Sequence, residues 1–434
     1  MIRKSRRFGV PKAVGVVLWM MRYDLLAVMI VAAVMAALSD TPVVFVQGPR
    51  QSGKTTLVQN LQTHGHKAEY LTLDDAAVLE AAVSDTQGFV SGLPERVILD
   101  EVQRAPELFL AIKHSVDKNR SPGRFLLTGS ANAMLLPKVS ESLAGRMEVL
   151  SLWPFSQGEI GAVQETFTEA CFAAGFSPGR ITGADWPTLV SKIVAGGYPE
   201  SLTRTKADRR QAWFASYVTT ILERDVRDIA NIQGLRELPS LLRLVAARSS
   251  NVLNFNDLAR DAGIAPTTLK RYWGLLEAVF LGITIPAWSG NLTSRLSKAP
   301  KLMVGDAGLL CHLLGLDETR LKEDSLMTGA VLETFVGLEL IKQLAWTSNA
   351  PKLFHYRTHA QQEVDYVLED RSGRLVGIEV KKNASPTSSD FRSLRHLAEQ
   401  TGNRFVRGIL LYTGTESVSF GPGLQAVPIS ALWQ

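Results

Sequence analysis

VVFVQGPRQSGKTT, Val43 to Thr56, is the stretch on which the fold turns. A short apolar run suited to a buried parallel strand leads directly into a glycine-rich turn and then a helix pattern, the context that gives the P-loop spacing its meaning. Gly48 and Gly53 let the backbone curl past Pro49, so that the amides of Arg50, Gln51 and Ser52 and the N-terminus of the next helix face phosphate oxygens. Lys54 then reaches the β- and γ-phosphates, the Thr55 hydroxyl ligates Mg²⁺, and Thr56 completes the nucleotide-binding segment.

A second, independent motif follows. RVILDEVQ, Arg96 to Gln103, is an apolar strand ending in two adjacent carboxylates. At the C-terminal end of a parallel strand they would face the ligand crevice. Asp100 is suited to hold Mg²⁺, and Glu101, pointing differently one residue on, to polarise the attacking water. A third strand, RFLLTGS, brings Thr128 and Ser130 to the same end as candidate γ-phosphate sensors, although Thr-Gly-Ser is also ordinary turn chemistry. Arg146, just before the next strand, is a candidate to stabilise transition-state charge, with a surface arginine as the equal alternative.

Outward from the P-loop, the short apolar segments at 43–47, 69–73, 96–99, 125–128 and 147–152 alternate with longer mixed ones. That is the grammar of a doubly wound α/β fold with a parallel sheet. The boundaries this suggests are 1–40 for an apolar helical extension, 41–190 for the P-loop core, 191–325 for a helical lid and winged-helix region, and 326–434 for a last α/β unit. Within the third segment, Phe255 to Ala262, a turn at Gly263 and a helix opened by Pro266 read as helix-turn-helix. Thr267, Thr268, Lys270 and Arg271 could then face a DNA groove while Leu269, Tyr272 and Leu275 pack inward.

In the last unit, Asp365 lies in one strand, and Glu379 and Lys381 lie in the next with one residue between them. Residues two apart in a strand share a face, so Glu379 and Lys381 can meet Asp365 across neighbouring strands. Such carboxylates would take a second divalent metal, Mg²⁺ or Mn²⁺, with Glu333 on the preceding helix as a further ligand and the lysine to orient water. The plainer reading is a solvated sheet face with an Asp–Lys pair.

GPRQSGKTTL, LDEVQRAPELF, LTGS, SLAGRMEVL, and GGYPE followed by ERDV together resemble the prokaryotic AAA-type P-loop ATPases that carry a C-terminal domain of unknown function. The resemblance runs over about residues 40 to 430. It implies a Mg-dependent ATPase core with a lid and winged helix, Arg146 as an arginine finger or sensor, and a C-terminal domain similar to the PD-(D/E)xK, or restriction-endonuclease-like, nucleases.

Composition sets the outer limits. With 434 residues, 46% hydrophobic and 21% charged, the chain is globular and long enough for two or three domains. A formal net charge of +5 admits an anionic partner such as DNA without requiring one. The two cysteines, Cys171 and Cys311, are far apart and suit a reducing, cytoplasmic compartment. Basic residues from Arg3 to Lys12 precede an apolar stretch, but Arg22 and Asp24 split it into pieces shorter than the roughly 18 residues of a spanning helix. Placing both charges near a bilayer centre would cost on the order of 5–7 kcal/mol, so a buried helix is expected rather than a membrane span.

Two classes of function fit these features. One is an ATPase coupled to a nuclease-like domain acting on nucleic acid, assembled alone or as a homo-oligomer. The other is a nucleotide-switched interaction protein whose nuclease-like fold is catalytically inert.

Overall fold

The computed structural model describes residues 28–132, 143–176, 183–227, 236–323, 325–347, 351–358 and 360–434. Five strands, β1 (Val43–Gln47), β2 (Glu69–Thr72), β3 (Val97–Asp100), β4 (Phe125–Gly129) and β5 (Met147–Ser151), form a parallel sheet in the order β2-β3-β4-β1-β5. Alternate side chains leave opposite faces of a strand. Val43, Phe45, Leu99 and Leu127 therefore pack on Phe109, Ile112 and Val116 of a helix at Leu108–Lys118. Val44, Val46, Ile98 and Leu126 meet the other face, covered by α1 (Val28–Asp40) and α2 (Lys54–Asn60). The central strands β1, β3 and β4 are buried on both faces, as near-continuous apolar strands require.

Helix α1 explains the described part of the apolar N-terminal stretch. Ile30, Val31, Val34, Ala37 and Leu38 recur at one-face spacing and are buried against that sheet. Each large aliphatic side chain so placed contributes roughly 1.5–3 kcal/mol. Residues Arg3 to Asp24 lie outside the described residues. Among the described residues, no helix is long and apolar enough to cross a membrane.

In the lid, helix α3 (Ala207–Thr220) passes into a π-helical turn, Ile221–Asp225, and another helix occupies Leu238–Ala247. A π-turn rotates side chains relative to a continued α-helix, and here it aims Asp225 at the P-loop. Helix α4 (Phe255–Ala262), the left-handed cap Gly263 (φ 67°) and α5 (Pro266–Ala278) follow the expected grammar. On α5, Leu269 and Tyr272 are buried, whereas Thr267, Lys270 and Arg271 are exposed. An antiparallel pair, β6 (Gly282–Ile285) and β7 (Lys301–Val304), completes this region.

The last unit opens with the long helix α6 (Ser325–Leu344). It packs on a six-stranded sheet ordered β12-β13-β11-β10-β9-β8, made of β8 (Lys352–Arg357), β9 (Glu363–Glu369), β10 (Leu375–Lys381), β11 (Phe405–Tyr412), β12 (Val418–Gly421) and β13 (Leu424–Pro428). Helix α6 touches both the segment after the P-loop sheet and the last sheet. Near its C-terminus Glu339 accepts a 2.7 Å hydrogen bond from the Gln157 amide and Lys342 donates at 3.0 Å to the Phe155 carbonyl, just beyond the P-loop sheet. At mid-helix, the Glu333 carbonyl accepts a 2.8 Å bond from the Tyr366 hydroxyl on β9.

The sheet corrects one expectation. β1 and β5 run parallel in register from Val43↔Met147 to Gln47↔Ser151. Arg146 thus stands where the strands begin and the P-loop where they end, roughly 15 Å apart at the rise of a β-strand. Its guanidinium is tied to Asp117 at 2.7 Å. Arg146 is therefore not a finger for its own subunit's nucleotide site.

Candidate active site

The turn after β1 is built by backbone shape. Gln51 (φ 62°) and Gly53 (φ 100°) take left-handed conformations, the kind of turn that points successive amides inward. Gly48 cannot be replaced, because a Cβ there would fall 2.0 Å from the Leu152 carbonyl oxygen. Within the cradle, the buried Ser52 hydroxyl has no protein partner, so a polar group is available where a phosphate would lie. The Lys54 ammonium is buried and folded back onto the Gly48 and Pro49 carbonyls at 3.0 and 2.9 Å. Burial pushes it down to about 8, against the pull of Glu101 and Asp100.

Asp100 is the hub of the metal-facing side. Its Oδ2 accepts from the Thr55 hydroxyl at 2.9 Å and from the Tyr70 hydroxyl at 2.7 Å, while its Oδ1 accepts from Thr128. Thr55 and Asp100, hard oxygen donors brought into direct contact, fit a Mg²⁺ held through hydroxyl and carboxylate or water.

Glu101 sits in a left-handed conformation (φ 61°, ψ 43°), which swings it away from Asp100 although the two are adjacent. Its amide donates to the Thr128 hydroxyl at 3.1 Å. Its carboxylate accepts from Ser130 at 2.7 Å and from the Gln103 amide. Burial works against the Glu101 charge, yet Lys54, the bonds from Gln103 and Ser130, and Arg50 hold the carboxyl below its usual range. It is therefore ionised, as a water-polarising base must be. The P-loop also reaches the lid: Arg50 Nε pairs with Asp225 at 3.0 Å, and the Tyr217 hydroxyl donates to the Arg50 carbonyl at 3.3 Å.

The candidate residues from Gly48 to Thr56, with Asp100, Glu101 and Ser130, thus lie together at one sheet edge, with Thr56 exposed on the far side of α2. Tyr70, Gln103 and Asp225 were not foreseen. Tyr70 lies on a strand whose place beside β3 is a matter of topology, and the role of Asp225 depends on the π-turn.

The second cluster also assembles, but around an unforeseen cation. Lys301, which opens β7, is completely buried, with its Nζ 2.7 Å from Glu333, 2.9 Å from Glu363 and 3.7 Å from Asp365. Burial works against its charge, but Glu333, Asp365 and Glu363 keep it protonated well above the ordinary lysine range. Asp365 also accepts from the Val380 amide at 2.8 Å, and Lys381 stands 3.6 Å from Glu379. Burial and the facing Asp365 push the Glu379 carboxyl far up.

The expected ligands Glu333, Asp365 and Glu379 do lie in one neighbourhood, with the lysine among them. An ammonium stands between Glu333 and Asp365, and Glu379 is turned to Asp365 and Lys381. Among the described residues, no group of three or more His, Cys, Asp or Glu is arranged to hold a metal ion.

The chain is similar to known families over three segments. Residues 40–161 match a family described as an AAA domain, 187–320 a domain of unknown function (DUF8612) and 328–432 a domain of unknown function (DUF4143). "Uncharacterized protein Rv2008c" of Mycobacterium tuberculosis is 32% identical over 397 residues, covering 90% of this chain and 81% of that protein. The chain belongs to its family. This AAA-type P-loop ATPase is equally similar to "Uncharacterized protein Mb2031c" of Mycobacterium bovis, at 32% identity over 90% of this chain and 81% of that one. Among solved structures, the Walker-type ATPase PABY2304 of Pyrococcus abyssi aligns with 66% of the AAA-type ATPase and 94% of its own chain, at 14% identity and a TM-score of 0.41.

Proposed function

We propose that this protein binds and hydrolyses MgATP at the P-loop and uses the nucleotide state to reset how its lid and C-terminal unit meet a partner. The observation that carries the reading is the convergence of Lys54, Thr55, Asp100 and Glu101 beside an amide-lined turn. In this reading the loop amides and Ser52 grip the phosphates, and Lys54 leaves the Gly48 and Pro49 carbonyls to meet them. Thr55 and Asp100 hold Mg²⁺, which when bound supplies charge to neutralise the phosphates. Glu101, held by Gln103 and Ser130, takes up a proton from the attacking water as the water oxygen bonds to the γ-phosphorus and the bridging oxygen leaves with ADP.

The C-terminal unit serves as an interaction platform that does not cut nucleic acid, the reading favoured by the lysine within its acidic cluster. Exposed Thr267, Lys270 and Arg271 on α5 support DNA as a partner, bound through phosphates and, in the winged-helix reading, a groove. A metal-dependent nuclease is the second reading, supported by the shared neighbourhood of Asp365, Glu379 and Lys381.

The deciding experiment pairs ATP turnover with plasmid cleavage. Wild type should hydrolyse ATP with Mg²⁺ and leave plasmid intact with Mg²⁺ or Mn²⁺. Cleavage that disappears in Asp365→Ala would establish the nuclease reading in its place.

A further inference from the structure

We infer that Lys301 is the resident cation of the C-terminal acidic cluster, a covalently tethered substitute for a divalent metal that also locks the middle region onto the last sheet. This deepens the proposed non-cleaving role of that unit.

The geometry is that of a filled cation site. The Lys301 Nζ is completely buried and lies within 4 Å of three carboxylates carried by two elements: Glu333 on α6, and Glu363 and Asp365 on β9. Glu363 and Asp365 are two apart in one strand and share a face, so both reach the same ammonium. The Tyr366 ring closes another side, its centroid 5.9 Å from Nζ.

The charges come within one unit of balance with no metal. Glu333, Glu363, Asp365 and Glu379 bring four carboxyl groups, Glu379 and Asp365 facing one another. Lys301 and Lys381 supply two positive charges, and Arg357, 3.7 Å from Glu363, supplies a third. A divalent ion added to this set would meet an ammonium in van der Waals range, where repulsion between like charges in a buried setting is steep.

Lys301 is fixed from behind as well. It opens β7, where its backbone pairs with Ile285 of β6 and with Val252. The lysine therefore cannot leave unless β7 moves. Removing its charge would expose a set of hard oxygen donors to solvent cations.

The test uses the full chain without nucleotide and Mn²⁺ alone as the probe, followed by electron paramagnetic resonance and titration calorimetry. Wild type and Asp365→Asn should bind Mn²⁺ indistinguishably. Lys301→Met should gain one Mn²⁺ per chain, roughly tenfold or more tighter than wild type, and lose it again with Asp365→Asn added. Lys301→Arg, which keeps the charge, should gain none. Mn²⁺ binding by wild type that needs Asp365, or a folded Lys301→Met that binds none, would overturn the inference. If Lys301→Met does not fold, neutralising its partners in Lys301→Met/Glu333→Gln/Asp365→Asn should restore folding; failure to do so would overturn it too. ATP turnover by the same preparations reports separately on the P-loop reading.

Discussion

Arg50 in the P-loop and Asp225 in the lid's π-turn are joined 3.0 Å apart across 175 residues of sequence. The loop that would hold phosphate is thereby tied to an element outside the sheet, and any nucleotide that rearranges Arg50 pulls on the lid. Asp225→Ala should leave a half-buried guanidinium unpaired, lower stability by about 1–3 kcal/mol and raise KM for ATP. Asp225→Glu should recover part of both. The measurement is thermal unfolding alongside steady-state ATP hydrolysis.

Lys54 should take up a proton when nucleotide binds. Burial holds the free ammonium down to about 8, and phosphate charge beside it will raise that value. The bound state then carries more protons than the free one near this pH, so affinity falls as pH rises through about 8. Calorimetric MgATP titrations in buffers of different ionisation enthalpy at this pH should show net proton uptake.

Glu101 and its supports should separate chemistry from binding. Glu101→Gln keeps the shape and loses the base, so kcat should fall by about 10²–10⁴ while ATP affinity is retained. Gln103→Ala should lower kcat less, because Ser130 still donates to the carboxylate at 2.7 Å. Rapid-quench turnover and nucleotide-binding titrations distinguish these effects.

Buried acids near the junction of the P-loop sheet and α6 predict a pH dependence of stability. Burial pushes Glu159 up to about 7, and burial together with Glu339 also raises Glu165, which hydrogen-bonds Ser156 at 2.5 Å. With folded values raised above unfolded ones, the folded state binds more protons, so the contribution is whole below the ordinary carboxylate range and is lost as pH rises to neutrality and beyond. The unfolding midpoint should fall over that interval, and Glu165→Gln should flatten the fall.

Much of the fold was legible because apolar runs and glycines act locally. The segment at 43–47 and the turn at Gly48 to Lys54 announce strand and loop from their own residues, and Pro266 opens its helix where expected. Relationships between distant segments were not legible. Arg146 reads as a finger beside a strand until the parallel register puts it at the wrong edge. Asp365, Glu379 and Lys381 share a site as alternation suggested, yet the cation among the acids comes from Lys301, 64 residues before Asp365 in sequence. A lone lysine opening the run KLMV gives no local sign of the carboxylates it will meet.

The central claim is that Lys54, Thr55, Asp100 and Glu101 form an ATP-hydrolysing site, and steady-state ATP turnover with Mg²⁺ by wild type, Lys54→Ala and Glu101→Gln tests it most directly. Wild type should turn over ATP, and both variants should lose about 10²-fold or more, Lys54→Ala through weakened nucleotide binding and Glu101→Gln with binding retained. A wild-type protein that neither binds nor hydrolyses ATP, or turnover unchanged in both variants, would contradict it.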